Sequence, residues 1–197
     1  MKKTVKLIGI VLAVFMFSAM AKADTIVFTT TLTGSQEVPP TGSPGIGSAL
    51  VTLDTATNLL TLNVSFAGLV SPTIASHIHC CVPPGVNAMV ATTVPTFPGF
   101  PLGVTTGTYL MTFDLTLAST YNPAFITAHG GTVAGAQAAF IAGLISGQTY
   151  LNIHTSQFPG GEIRGQLQAV PEPASVLLLS TGIMGIAGAL RKRRRQR

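Results

Sequence analysis

Tyr150–Leu167 reads YLNIHTSQFPGGEIRGQL: a strand-like run ending in His154, a turn built on Pro159, Gly160 and Gly161, and a second strand carrying Glu162 and Arg164. Two short runs separated by a Pro/Gly turn are the pattern of antiparallel strands. Arg164 is the only basic side chain between Asp24 and Leu190. A single cation in a domain of this size points to a placed charge, either a buried ion pair that pins the last hairpin or recognition of an anion. Glu162 and Arg164 are therefore candidate structural or anion-binding residues.

Working outward, the same grammar recurs. Thr25–Leu32 alternates apolar and hydroxyl residues, as a half-buried strand does. Gly47–Leu53 and Leu59–Phe66 alternate with period two across Asp54–Asn58, which predicts a hairpin. Ala75–Cys80 and Gly107–Leu117 read as further strands, and Ala88–Val94 as a short one. Gly34–Gly47 and Thr96–Gly103 are Pro/Gly loops, and Tyr121–Gly131 reads as irregular. Thr132–Ile145 allows one short amphipathic helix stopped by Gly147. About seven short strands with Gly/Pro turns predict an all-β antiparallel sandwich or barrel, the sandwich preferred and immunoglobulin-like in architecture, with at most one short helix.

The two ends follow different rules. Lys2, Lys3 and Lys6, the apolar run Leu7–Met20 and Ala21-Lys22-Ala23 form the charged, apolar and small-residue regions of a secretory signal peptide, residues 1–23. Signal peptidase is expected to cut between Ala23 and Asp24. At the other end Pro171-Glu172-Pro173 precedes an apolar stretch, Ala174–Leu190, at the lower length limit for a transmembrane helix, and then six Lys and Arg residues. The positive-inside rule keeps that basic run cytoplasmic and leaves the domain outside. Residues 170–197 resemble the PEP-CTERM sorting signal of exopolysaccharide-producing Gram-negative bacteria. The resemblance implies an exosortase-type protease as processing partner, a transient membrane anchor, and a final place at the outer surface or outside the cell.

Between the ends, residues 24–170 hold Arg164 against Asp24, Glu37, Asp54, Asp114 and Glu162, a net charge of −4. The basic balance of the whole chain belongs to its targeting segments. With no clustered Lys or Arg to displace counterions from phosphates, nucleic-acid binding is excluded.

Three blocks carry a second resemblance: Thr33-Gly34-Ser35-Gln36-Glu37-Val38-Pro39-Pro40 after the opening strand, Ser76-His77-Ile78-His79-Cys80, and Tyr150–Thr155 followed by Pro159–Leu167. Together they are similar to the CHRD domain, across residues 24–169. For bacterial members the resemblance implies a secreted β-sandwich, here expected to be a structural or binding component of the envelope or extracellular matrix, with exopolysaccharide or matrix proteins as partners and no catalytic residue.

His77 and His79 at i and i+2 on a strand share a face, and His154 lies on a strand beside the Gly-Gly turn. Two readings stay open. The imidazoles are hydrogen-bonded to backbone and to Glu162 in the core, or His77, His79 and His154, with Cys81 as a soft ligand, bind Cu or Zn. The His-x-His strand and late Arg164 turn also resemble copper/zinc superoxide dismutase, another sandwich, in which those positions would hold copper and draw in the anion; the His-rich zinc loop of that family has no counterpart here. Cys80 and Cys81, the only cysteines, allow a vicinal disulfide in an oxidising compartment, a metal ligand or buried thiols. His129, before Gly130 and Gly131, reads as a solvated loop residue. No nucleophile elbow or phosphate loop is present, and five acids without a tryptophan make carbohydrate hydrolysis a poor fit.

Overall fold

The computed structural model describes residues 25–171. The Ala23–Asp24 cleavage site, Glu172, Pro173 and the apolar tail Ala174–Leu190 lie outside the described residues. Among the described residues no helix is long and apolar enough to cross a membrane.

Nine antiparallel strands form one curled sheet: β1 Thr25–Thr33, β2 Ile46–Asp54, β3 Leu59–Ala67, β4 Thr73–Cys80, β5 Met89–Val90, β6 Gly107–Asp114, β7 Thr149–Thr155, β8 Ile163–Gln166 and β9 Gln168–Ala169. The order is β5-β4-β7-β8-β1-β2-β3-β6, with β9 also on β1. The all-β expectation holds. Its two layers are two four-stranded halves, β5-β4-β7-β8 and β1-β2-β3-β6. Between β8 and β1 the ladder is a single residue pair, Thr33 opposite Arg164, so the sheet can turn a corner there.

Period-two alternation decides what each half buries. Phe28, Leu32, Val51, Leu53, Leu60, Leu62, Val64 and Phe113 from one half meet Ile78, Cys80, Leu151, Ile153 and Ile163 from the other in one core. The β2–β3 hairpin closes as its sequence predicts. Asp54 Oδ1 accepts from the amides of Ala56 and Thr57, and Asn58 takes the left-handed backbone, φ 59°, that Asn tolerates better than most residues.

Two helices cover one end of the core. The expected one, α2, runs over Val133–Ile145, capped by Thr132 Oγ1 accepting from the Gly135 amide at 3.1 Å. The other corrects the reading of Tyr121–Gly131 as irregular: α1 is a short helix, Pro123–Ala128. Asn122 accepts from the Ala124 amide at 3.0 Å, Pro123 sits at the first helical position, and Gly130 and Gly131 end the segment with φ of 85° and 69°. Asn-Pro is a helix start as well as a turn signal, and the start wins because Phe125 is fully buried. The His129 ring, centred 4.3 Å from Phe125, packs on that helix rather than standing free in solvent.

Candidate metal centre

Alternation along β4 and β7 sends Ser76, Ile78, Leu151 and Ile153 into the apolar core and His77, His79, Tyr150, Asn152 and His154 to the opposite face. That second face is also buried, because the loops after β1 and β4 fold over it: His77, His79, Asn152 and His154 are each at most 8% exposed. One sheet half therefore separates an apolar layer from a polar one.

Strand pairing sets the spacing. Asn152 lies opposite His77 and Ala75 opposite His154, so His77 and His154 are diagonal neighbours on one face. One ring nitrogen of each of His77, His79 and His154 lies within 4.8 Å of the others. His77 Nδ1 and His154 Nε2 are 3.1 Å apart. The remaining nitrogens face backbone carbonyls: His77 Nε2 to Pro95 at 2.7 Å, His79 Nδ1 to Ala88 at 2.8 Å and His154 Nδ1 to Pro159 at 3.0 Å. His79 Nε2 and Asn152 Oδ1 are buried without a hydrogen-bond partner. Burial holds all three imidazoles below the usual histidine range, His79 and His154 to about 4.

Around the histidines sits the charged part of the layer. The His79 ring stacks on Tyr150, centroids 4.7 Å apart and planes 9° from parallel, and the Arg164 guanidinium covers Tyr150 at 4.4 Å. Tyr150 accepts through its hydroxyl from the Ala88 amide, the residue whose carbonyl holds His79. Arg164 donates to Gln36 O and, at 2.8 Å, to Asn87 Oδ1. Its carboxylate neighbour is Glu37, Nε to Oε2 3.9 Å, both side chains buried. Burial pushes the Glu37 carboxyl up to about 7, against the pull of Arg164: the guanidinium spends its best-directed N–H groups on other acceptors.

Three details of the sequence reading change. Glu162 is not the partner of the histidines. It is fully buried elsewhere, with Oε1 accepting from Ser43 Oγ at 2.5 Å and the Val70 amide at 2.7 Å, and Oε2 accepting from Thr155 Oγ1 at 2.6 Å. It ties the β7–β8 turn to the loops before β2 and after β3. Glu162→Gln should cost about 1–3 kcal/mol in a urea titration, because an amide cannot accept from donors on both sides at once; a variant as stable as the parent would show that these bonds carry no net stability.

Cys81 is the second. β4 ends at Cys80, so strand alternation does not extend to Cys81, and the structure does not bring it to the histidines. Cys80 and Cys81 are joined as a disulfide, which leaves no thiolate to bind a metal. The pair lies against α2 at Gly143, where a Cβ would stand 3.0 Å from Cys81 Sγ and closer still to that of Cys80. The third is Glu37, whose role sequence reasoning missed. Its signal was compositional: few carboxylates were available to a lone arginine.

A family model of the CHRD domain matches residues 28–167. The chain belongs to the CHRD family. The CHRD match takes in most of β1 and all of β2 to β8, together with the three histidines, Glu37 and Arg164. A second model, the PEP-CTERM protein-sorting motif, matches residues 169–195 and begins where the domain ends; it marks the CHRD domain as exported, sorted cargo and implies processing by an exosortase. No curated protein and no solved structure matches the chain.

Proposed function

We propose that this CHRD domain is a structural and adhesive component of the cell envelope or extracellular matrix, and that it meets uncharged matrix polymer through the outer face of β1-β2-β3-β6. One observation carries the reading. Across those four strands the outward residues stand in register: Val27, Thr52, Thr61, Thr112; Thr29, Leu50, Asn63, Leu110; Thr31, Ser48, Ser65, Thr108.

Hydroxyl and amide groups alternate there with two exposed leucines, Leu50 and Leu110, and the three rows hold no charged side chain. Hydroxyls that both donate and accept suit a polyol, while leucines give the face apolar area to cover. The sorting tail supports the location, since its family belongs to exported proteins.

The test is co-sedimentation of the exported full-length chain with extracellular polysaccharide isolated from the producing cells. Leu50→Lys/Leu110→Lys should reduce the retained fraction at least severalfold, because each lysine puts a hydrated charge in the middle row. Equal retention of parent and variant, or none by either, would overturn the proposed face.

A further inference from the structure

Each of the three buried imidazoles faces a main-chain carbonyl, and a carbonyl can only accept. A neutral imidazole has one N–H and one lone pair, so the hydrogen bonds fix the tautomers. His77 carries its proton on Nε2, His79 on Nδ1 and His154 on Nδ1. The lone pairs are then His77 Nδ1, His79 Nε2 and His154 Nε2.

Two of these lone pairs confront each other at 3.1 Å, and the third, buried and without a hydrogen bond, has the side chain of Asn152 as its polar neighbour. A layer that satisfied itself would not bring acceptors together in this way. A proton between His77 and His154 would serve those two and still leave His79 Nε2 unpaired, whereas one cation can engage all three. The His77–His154 spacing agrees, since two nitrogens bound at 2.0–2.1 Å to one tetrahedral ion stand roughly 3.3 Å apart, and the ligand nitrogen of His79 lies within 4.8 Å of both.

We propose that His77, His79 and His154 form a three-imidazole site for copper or zinc. Imidazole is a donor for these ions, and the cluster contains no carboxylate of the kind calcium or magnesium needs. Main-chain carbonyls hold all three rings in the ligating tautomer, as they do around many bound metals. The β4–β7 ladder fixes the two diagonal ligands, and the stack of Arg164, Tyr150 and His79 fixes the third. The site lies on the sheet half opposite the hydroxylated face and does not depend on that face's role.

The full-length chain, exported, purified without a histidine tag and stripped with chelator, would be loaded separately with a copper and a zinc salt and desalted. The expected result is one equivalent of at least one metal per chain, lost in H77A/H154A and kept in H129A, whose histidine lies outside the cluster. Nitrogen-15 ring spectra of the metal-free protein should show protons on His77 Nε2, His79 Nδ1 and His154 Nδ1, and loading should shift the three opposite nitrogens. Substoichiometric metal with both salts, metal retained by the folded double variant, or a proton on the opposite nitrogen of any of the three rings would overturn the proposal. If H77A/H154A does not fold by circular dichroism, the ring spectra of the parent decide alone.

Discussion

Arg164→Met is expected to lower the stability of the domain by about 3–5 kcal/mol, the range for removing one partner from a buried charge network. Methionine keeps most of the length of the side chain, so the loss reports the guanidinium rather than a cavity. Three acceptors would be abandoned together: Gln36 O and Asn87 Oδ1, both bonded to Arg164, and the buried Glu37 carboxylate beside it. The cover over Tyr150 goes too, and with it part of the stack that holds His79. In a domain of this size the shift in melting temperature would be roughly 10 °C. Glu37 can soften the blow by taking up a proton, since burial already raises its carboxyl to about 7. The variant should therefore be less impaired at pH 6 than at pH 8, and Arg164→Met/Glu37→Gln should lose less than the sum of its single variants. An unfolding free energy for Arg164→Met, extrapolated from urea titration, within about 1 kcal/mol of the parent's would show that the network contributes little.

Much of this arrangement was legible in the chain, and the reason is periodicity. The strands β1, β2, β3, β4, β6 and β7 were readable because one face of each meets the apolar core, which sets a period of two on the core positions. The same period puts His77 and His79 on one side. That His154 joins them was readable as far as the family pattern and the turn after it allowed.

What escaped reading depends on loops. Glu37 lies in the segment after β1, and no local rule says that this segment folds back over β7 and β8 to meet Arg164. The carbonyls of Pro95, Ala88 and Pro159 that orient the histidines leave no trace in residue type, because every residue has a carbonyl. Glu162 was legible as buried and important, but its partners Ser43, Val70 and Thr155 come from three separate segments. Cys81 was misplaced as a ligand because the strand that carries His77 and His79 ends at Cys80, one residue before it, so placing it with them takes a strand rule too far. Only for Cys81 was a local rule applied past the element that supports it; the other contacts lie where no local rule reaches.

The metal-free protein is expected to lose stability as pH falls from about 6.5 toward 4. His79 and His154 have folded pKa values near 4 against 6.5 for the free side chain. In that window the unfolded chain binds protons that the folded chain refuses, so acidification favours unfolding. Each histidine contributes a slope of up to about 1.4 kcal/mol per pH unit, and His77, lowered for the same reason, adds in the same direction. Glu37 opposes them. Its carboxyl, raised to about 7 from 4.5, holds a proton in the fold that the unfolded chain releases, so it gains stability as pH falls from 7 to 4.5. Three histidines against one carboxyl leave a net loss, on the order of 1.4 kcal/mol per pH unit or more. Glu37→Gln removes the opposing group and should steepen the decline. Urea titrations in chelator at pH 6.5, 5.5 and 4.5, on the parent and on Glu37→Gln, measure both slopes. A stability that stays level or rises across this range would mean that the imidazoles accept protons inside the fold, and the polar layer would then have to open to water as the pH drops.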